Sequence, residues 1–537
     1  MQDRVSPQPY RLAQAAQENS PRMKTRRLLL NTGSNYGILV MRIGITFLLT
    51  PLYVKYLGVY DFGIWELVVA TLGYAGLLDL GLGFSISRFI AKYRAEDNHD
   101  ELLRVFNTVM AFLSSIGLVL ALVGLSIAIW CPQILGPASG GQRSYSLFLT
   151  IIAVQVFVSF PGVVAGGCLD GYQKYYVKNF LTFIDAIFVL TITLLFINKD
   201  NALILLASLS TFSLLWKCVA YLVLLAREPD YPLYFARHHV SGSTLRSLLG
   251  FAIKSFVQGV SNQIQSRSGV FLIGAFLGPG SVPLFTIPAN LVAYQGNITE
   301  TGSQAFMPVF SALEAQGRRD EILQMYLFAS KILVALMSLM GMGLLLLGTD
   351  FITLWVGPQL GGSASNLLPY MVSGTFILYL NPCAPRYLTA LGKHGIYAKV
   401  APVALVVSVL IAVSLVGKLG VAAIVVGAMF ASAISCTFTL RLSCRLLGIS
   451  VVTYLKRALL PLVLPGCVMV LTVLLLKNFV PLRNYAQIFG VAIAASVVYA
   501  AAFFVVGLSK AERGSLLGLI WKQRAAGIQN APPGPDV

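Results

Sequence analysis

Apolar residues run through this chain in stretches of about twenty, separated by short polar connections. A helix needs about 20 apolar residues to cross a bilayer. The pattern therefore predicts about fourteen membrane-spanning helices, at 34–54, 61–82, 105–130, 144–168, 176–197, 202–226, 247–277, 282–309, 324–347, 366–386, 396–417, 419–440, 456–476 and 486–507. The expected fold class is an all-α polytopic membrane protein. Composition agrees, since 57% of the 537 residues are hydrophobic and only 11% are charged, against roughly a quarter charged in soluble proteins. What lies between the spans is short: the tail 1–33, the segments 227–245 and 348–365, and the tail 508–537. None is large enough for an independently folded domain of ordinary size. That excludes an appended soluble catalytic domain.

Charge orients the chain. Loops that stay in the cytoplasm are enriched in Lys and Arg. Of the 39 basic residues, 28 fall in one alternating set of connections, which includes both termini, and six in the other: Lys55, Arg143, Lys199, Lys418, Lys477 and Arg483. Both termini are therefore expected in the cytoplasm. Basic loops beside an anionic leaflet account for the net charge of +18 at about 1 kcal/mol per residue, so nucleic acid binding is not inferred. The N-terminal tail lacks the apolar core and small-residue cleavage site of a signal peptide and is expected to be retained.

Metal and redox chemistry find little support. Seven cysteines (Cys131, Cys168, Cys218, Cys383, Cys436, Cys444 and Cys467) lie in or beside spans without C-x-x-C spacing, which suits small packing residues. All four histidines, His99, His238, His239 and His394, fall in expected cytoplasmic loops. No metal site and no resident cofactor is expected.

An internal repeat is visible at an offset of 220 positions: residues 26–65 lie on 246–285 without a gap, with seven identities, and Tyr56-Leu57-Gly58 falls on Phe276-Leu277-Gly278. Six spans separate the copies, so both enter from the same side, as a parallel repeat about an axis along the membrane normal requires. The expected organisation is a cytoplasmic tail 1–33, a six-helix bundle 34–226, a cytoplasmic linker 227–245, a second six-helix bundle 246–440, two additional helices within 441–507 and a cytoplasmic tail 508–537. The two bundles are expected to surround a central cavity.

The start Asn31-Thr32-Gly33-Ser34-Asn35, the turn Tyr56-Leu57-Gly58-Val59-Tyr60-Asp61-Phe62-Gly63-Ile64-Trp65, and Leu77-Leu78-Asp79-Leu80-Gly81-Leu82-Gly83 leading to Ser87-Arg88-Phe89-Ile90-Ala91 carry a resemblance. With them the chain resembles the polysaccharide transporters, including O-antigen and exopolysaccharide flippases, of the multidrug/oligosaccharidyl-lipid/polysaccharide flippase superfamily. The resemblance is strongest over 26–95. It implies movement of a polyprenyl-(pyro)phosphate-linked oligosaccharide across the bacterial cytoplasmic (inner) membrane for O-antigen, capsule or exopolysaccharide synthesis. It also implies membrane lipids, a polysaccharide polymerase and export proteins as partners.

Polar residues inside spans point to the site. Charge facing lipid at mid-span is costly, and three helices carry polar stripes. At about 100° per residue, Asn31, Asn35, Arg42 and Thr46 share one arc of the first span. Lys254, Gln258, Ser261, Gln265 and Ser268 share an arc of the seventh, and Asn290, Tyr294, Asn297, Thr301 and Gln304 an arc of the eighth. The repeat places Asn262 opposite Arg42. A diphosphate suits Arg42 with Lys254 or Arg267, because Arg binds it through paired hydrogen bonds and Lys as a point charge. Amides and hydroxyls at Asn35, Thr46, Gln258, Asn262, Gln265, Asn290, Tyr294 and Asn297 suit sugar hydroxyls. The alternative for Arg42 is a structural ion pair with Asp79 or Asp185, and for the stripes, polar glue between helices. Asp79, Asp185 and Glu300 are the carboxylates within the hydrophobic zone; each is a counter-ion or a binder of a coupling proton or sodium ion.

The leading reading is a flippase working by alternating access. The rival is a cation-coupled exporter of drugs or metabolites on a related fold, which would favour a carboxylate-dominated pocket. An enzyme, such as a polysaccharide polymerase or ligase, would need a large external loop with basic and His residues; the external segments are short and hold no His. The chain is expected not to be an enzyme.

Overall fold

A computed structural model describes residues 21–131, 142–229, 231–393 and 400–514, with side chains described over these ranges except at 21–36, 39, 75, 84, 142–144 and 253–266. The described residues are almost wholly helical and contain no strand. Ten of their helices are long and apolar enough to cross a membrane, and two shorter apolar helices, Arg267–Leu277 and Leu368–Leu378, accompany them. The chain divides into two compact units, residues 1–264 and 265–537.

The first unit begins with α1, Pro21–Ala75, which holds the first two expected spans. They are separated at Gly58, where φ is 72° and ψ 175°, a combination that essentially only glycine adopts. The repeat places Gly278 opposite Gly58, and its φ and ψ are 79° and 165°. Both repeats thus turn at the same residue by the same backbone geometry. A Cβ at either glycine would meet nothing within 4 Å, so the requirement comes from the backbone alone.

After α1 the Leu77–Gly83 motif makes a second turn. Leu80 and Gly81 both have positive φ, at 53° and 76°, and the Asp79 carboxylate accepts the Gly81 amide at 2.7 Å, as a short acidic side chain does at a helix start. Gly83 is hemmed in: a Cβ there would stand 2.7 Å from Asp79 Oδ2 and from Val163. The turn launches α2, Leu82–Ala95, followed by α3, His99–Trp130, α4, Gln142–Gly171, α5, Tyr175–Phe196, and α6, Ala202–Ala226. Leu82, Ile86 and Ile90 of α2 pack with Phe106, Leu113, Phe160 and Val164 in one buried cluster. Gly167 and Gly171 allow α4 to lie against Ile86 and Ile90, the close approach that small residues permit between membrane helices.

The connection before α7, within the expected cytoplasmic linker 227–245, is hydrogen-bonded to helices of the first unit. Buried Asn107 of α3 donates to the carbonyls of Leu103 (2.8 Å) and Tyr234 (3.1 Å) and accepts the Ala236 amide at 2.7 Å. Thr108 accepts the Ser241 amide at 3.0 Å, and Tyr172 donates to the Tyr231 carbonyl at 2.8 Å. The division between units accordingly falls at 264/265, within α7, Gly242–Leu277, and not in the connection.

The second unit continues with α8, Val282–Gln304, α9, Met307–Ala315, and α10, Arg319–Val356. Then come α11, Pro358–Ser365, α12, Leu368–Leu378, and α13, Ala384–Ala390. The tenth expected span is therefore broken over 379–383. The remaining helices are α14, Val400–Leu419, α15, Ala422–Leu447, α16, Val451–Tyr454, α17, Val463–Phe479, and α18, Tyr485–Ala502. A π turn at 455–459 and a 3-10 turn at 460–462 join α16 to α17. The last two spans rest on α10: Tyr499 donates to the Ala335 carbonyl at 3.0 Å, and Lys331 pairs with Glu512 at 2.8 Å.

Two outcomes test these devices. Gly58→Ala is expected to destabilise the protein by about 1–3 kcal/mol through backbone strain, read as a lower thermal midpoint in detergent. Gly44→Ala, at an exposed helical position with open space, should cause no loss. Asn107→Leu strands the Tyr234 carbonyl and the Ala236 amide, each at about 1–3 kcal/mol if it stays buried. Limited trypsin digestion is expected to cut at Arg237 faster in that variant than in the wild type.

Candidate functional site

α8 has two polar faces. On one, Gln295, Thr299 and Ser303 are buried; Gln295 donates to the Met337 carbonyl of α10 at 3.0 Å, and Thr299 to the Gln295 carbonyl at 3.0 Å. α10 comes this close because position 341 is glycine, where a Cβ would stand 2.7 Å from Gln295 Nε2. The opposite face carries the expected stripe: Asn297 is exposed, and Asn290, Tyr294 and Glu300 are half-buried. Amides cannot be left facing hydrocarbon without a hydrogen-bond partner, so this face is not built for lipid.

In the first unit Arg42 is exposed on α1 and Thr46 is half-buried one turn later. Neither carboxylate offered as a partner for Arg42 is engaged with it. Asp79 holds the Gly81 amide. Buried Asp185 on α5 accepts Trp216 Nε1 at 2.8 Å and Lys217 Nζ at 2.7 Å, both from α6. Lys217 is thus the counter-ion of Asp185. Among the described residues Arg42 has no hydrogen-bond or ion-pair partner. Arg267 on α7 is half-buried. The side chains of Asn35, Lys254, Gln258, Asn262 and Gln265 lie outside the described residues; their backbones are on α1 and α7.

The third carboxylate, Glu300, pairs with Arg386 of α13. Ser303 orients the pair: its hydroxyl accepts Arg386 Nε at 3.3 Å and donates to the Glu300 carbonyl at 2.7 Å. Arg386 stands here because the tenth span is interrupted at Asn381-Pro382. The interruption is tied down on both sides. Tyr454 donates to the Leu380 carbonyl at 2.8 Å, Asn381 donates to Ser443 of α15 at 2.9 Å, and Tyr326 of α10 donates to Asn381. Glu300, Tyr379, Asn381, Pro385, Ser435 and Thr439 border a cleft of about 80 Å3, enough for a handful of water molecules.

A wider trough of about 640 Å3 runs along one face of α15. Its wall is mainly apolar, with Phe430, Ala433, Ile434 and Phe438 beside the hydroxyl of Thr437, and ends on Arg441 and Arg445, one turn apart and exposed. Like charges at this spacing repel, and an anion between them would relieve that. Arg386, Arg441 and Arg445 were missed as site residues because charge patterning alone assigns them to cytoplasmic loops. The available signal for Arg386 was the Asn-Pro pair, which marks a break inside an apolar run.

A profile of the family described as "Polysaccharide biosynthesis protein" matches residues 28–314. The chain is 23% identical over 351 residues to the "Putative O-antigen transporter" of Shigella flexneri, covering 64% of this chain and 80% of that protein. Among solved structures, the lipid II flippase MurJ in an inward closed conformation superposes with a TM-score of 0.70 at 14% identity, over 89% of this chain and 99% of that one. An inward-facing multidrug resistance MATE family transporter of the MOP superfamily gives 0.64 at 14% identity, over 75% and 94%. At such identity the structural likenesses show the fold, which is that of MOP-superfamily transporters.

The Asp185 pair generates a stability test. Removing one partner of a buried ion pair costs about 3–5 kcal/mol, whereas replacing both is far better tolerated. Lys217→Met is expected to lower the thermal midpoint of the detergent-solubilised protein markedly. The double change Asp185→Leu with Lys217→Met should recover most of that loss.

Proposed function

This chain belongs to the polysaccharide biosynthesis protein family, and on that premise we propose that it is a flippase for polyprenyl-(pyro)phosphate-linked oligosaccharide in surface polysaccharide synthesis. The observation that carries this reading is the trough along α15, mainly apolar at Phe430, Ala433, Ile434 and Phe438 with Thr437 among them, and cationic at Arg441 and Arg445. An amphiphile with a long apolar tail and an anionic head fits such a wall, and a hydrophilic drug does not. The open amide face of α8 supplies donors and acceptors for sugar hydroxyls. Within the first unit, Arg42, exposed and without a partner among the described residues, is by itself a candidate phosphate contact. In this reading the protein works by alternating access in the bacterial inner membrane with both termini in the cytoplasm, and it catalyses no covalent step.

The cation-exporter reading needs a free carboxylate. In the structure Asp185 is paired with Lys217, Glu300 with Arg386, and Asp79 accepts a backbone amide, so two of the three carboxylates carry a cationic partner. That occupancy favours an anionic substrate.

The test is complementation of a host lacking its surface-polysaccharide flippase, with matched membrane abundance of each variant. The wild type is expected to restore polysaccharide in a host whose repeat unit it accepts. Arg42→Ala should reduce the restored amount roughly 10- to 100-fold, the worth of one charge-assisted contact of about 1.5–3 kcal/mol. Arg42→Lys should recover only part of that, since it keeps the charge and loses the fork. Drug tolerance gained across several hosts without polysaccharide in any would replace the flippase by the exporter. Equal activity of Arg42→Ala and wild type would remove Arg42 from the phosphate contact.

A further inference from the structure

Among the ion pairs of the second unit, Glu300–Arg386 stands apart. Lys331–Glu512 ties the C-terminal segment to α10, and Lys477–Asp350 joins α17 to α10; both clamp one element onto another. Glu300 instead sits at the edge of a polar cleft with its side chain 39% exposed, while its partner Arg386 is only 20% exposed. The carboxylate, the more exposed partner, can swing off the guanidinium at a smaller desolvation cost than a buried one would meet. The guanidinium would stay in place, because Ser303 accepts its Nε and α13 is anchored through the Asn381, Tyr326, Ser443 and Tyr454 contacts just before it.

A carboxylate and a phosphate oxygen make the same fork with Arg. Resting on the flippase reading, we propose that Arg386 is an anion seat for the diphosphate of the substrate and that Glu300 is its built-in competitor, occupying the seat until phosphate displaces it. The chemical logic is release. A diphosphate held by Arg386 without competition would be slow to leave, and transport needs binding weak enough to end. Glu300 returns to Arg386 as the phosphate departs, which lowers the affinity of the seat while leaving its geometry ready.

The competitor role has a sign opposite to a structural one. If Glu300 merely positioned Arg386, neutralising it would weaken anion binding; if it competes, neutralising it strengthens binding. The full-length protein is placed in phosphatidylcholine nanodiscs and titrated calorimetrically with inorganic pyrophosphate. Glu300→Gln is expected to tighten pyrophosphate binding at least 10-fold at an unchanged thermal midpoint. Glu300→Asp, shorter by one methylene, should give an intermediate gain. Arg386→Ala added to Glu300→Gln should abolish the gain. Unchanged or weaker binding in a well-folded Glu300→Gln overturns the proposal. So does a gain that survives Arg386→Ala, since the anion then sits elsewhere. If phosphatidylglycerol nanodiscs erase the gain, bilayer phosphate fills the seat and the assignment to substrate is overturned. Because binding is read without transport, these outcomes are independent of complementation: a failed flippase test with a positive titration would leave an anion seat in a protein of another function.

Discussion

Hydrocarbon offers no hydrogen-bond partner, and a polar group inside a bilayer must find one within the protein or face water. Most of the architecture follows from that constraint. It makes every described element a helix, whose backbone satisfies itself. It also explains why the buried charges Asp185 and Lys331 are matched, by Lys217 and Glu512. Where the helix is interrupted in the tenth span, the freed Leu380 carbonyl receives the Tyr454 hydroxyl and Asn381 is held by Tyr326 and Ser443. The interruption is stable because its polar groups are answered from neighbouring helices.

Glycine has two separate uses here. Gly58 and Gly278 hold a backbone conformation closed to other residues, and they mark the same turn in two repeats. Gly83, Gly167 and Gly341 sit in ordinary helix but at contacts where a single carbon would collide with Asp79, Ile86 or Gln295. The first use sets the direction of the chain, and the second sets how closely helices pack. Together they place α2 against α4 and α8 against α10, and so fix which face of α8 is buried and which is open.

That selection of faces bears on function. α8 is polar all round its middle, yet Gln295, Thr299 and Ser303 serve packing against α10 while Asn290, Tyr294 and Asn297 remain toward the open side. The acidic groups are consumed by partners, and several of the arginines are not. An inventory of this kind favours anionic cargo, and the apolar trough ending on Arg441 and Arg445 favours cargo with a hydrocarbon part.

Hydropathy alone marked the chain as an all-helical membrane protein, because crossing hydrocarbon demands length and apolarity, and ten helices among the described residues meet that demand. The repeat was equally legible through Gly58 and Gly278, since only glycine fits that backbone and so leaves a mark in the sequence. The family motifs were readable too, with the Asp79–Gly83 turn as their physical content. Helical periodicity found the stripe of α8 but not which of its polar faces packs, a choice made by the glycine at 341 on a helix far along the chain. Partners of charges were invisible for the same reason. Asp185 meets Lys217 across two helices, Glu300 meets Arg386 across 86 positions, and the linker is held by Asn107 more than 120 positions earlier. The sequence by itself determined what must cross the membrane and where the chain must turn, because those demands act on neighbouring residues. Which charge is answered and which is left for a ligand was decided only by tertiary structure, because that depends on what distant helices bring within hydrogen-bonding distance.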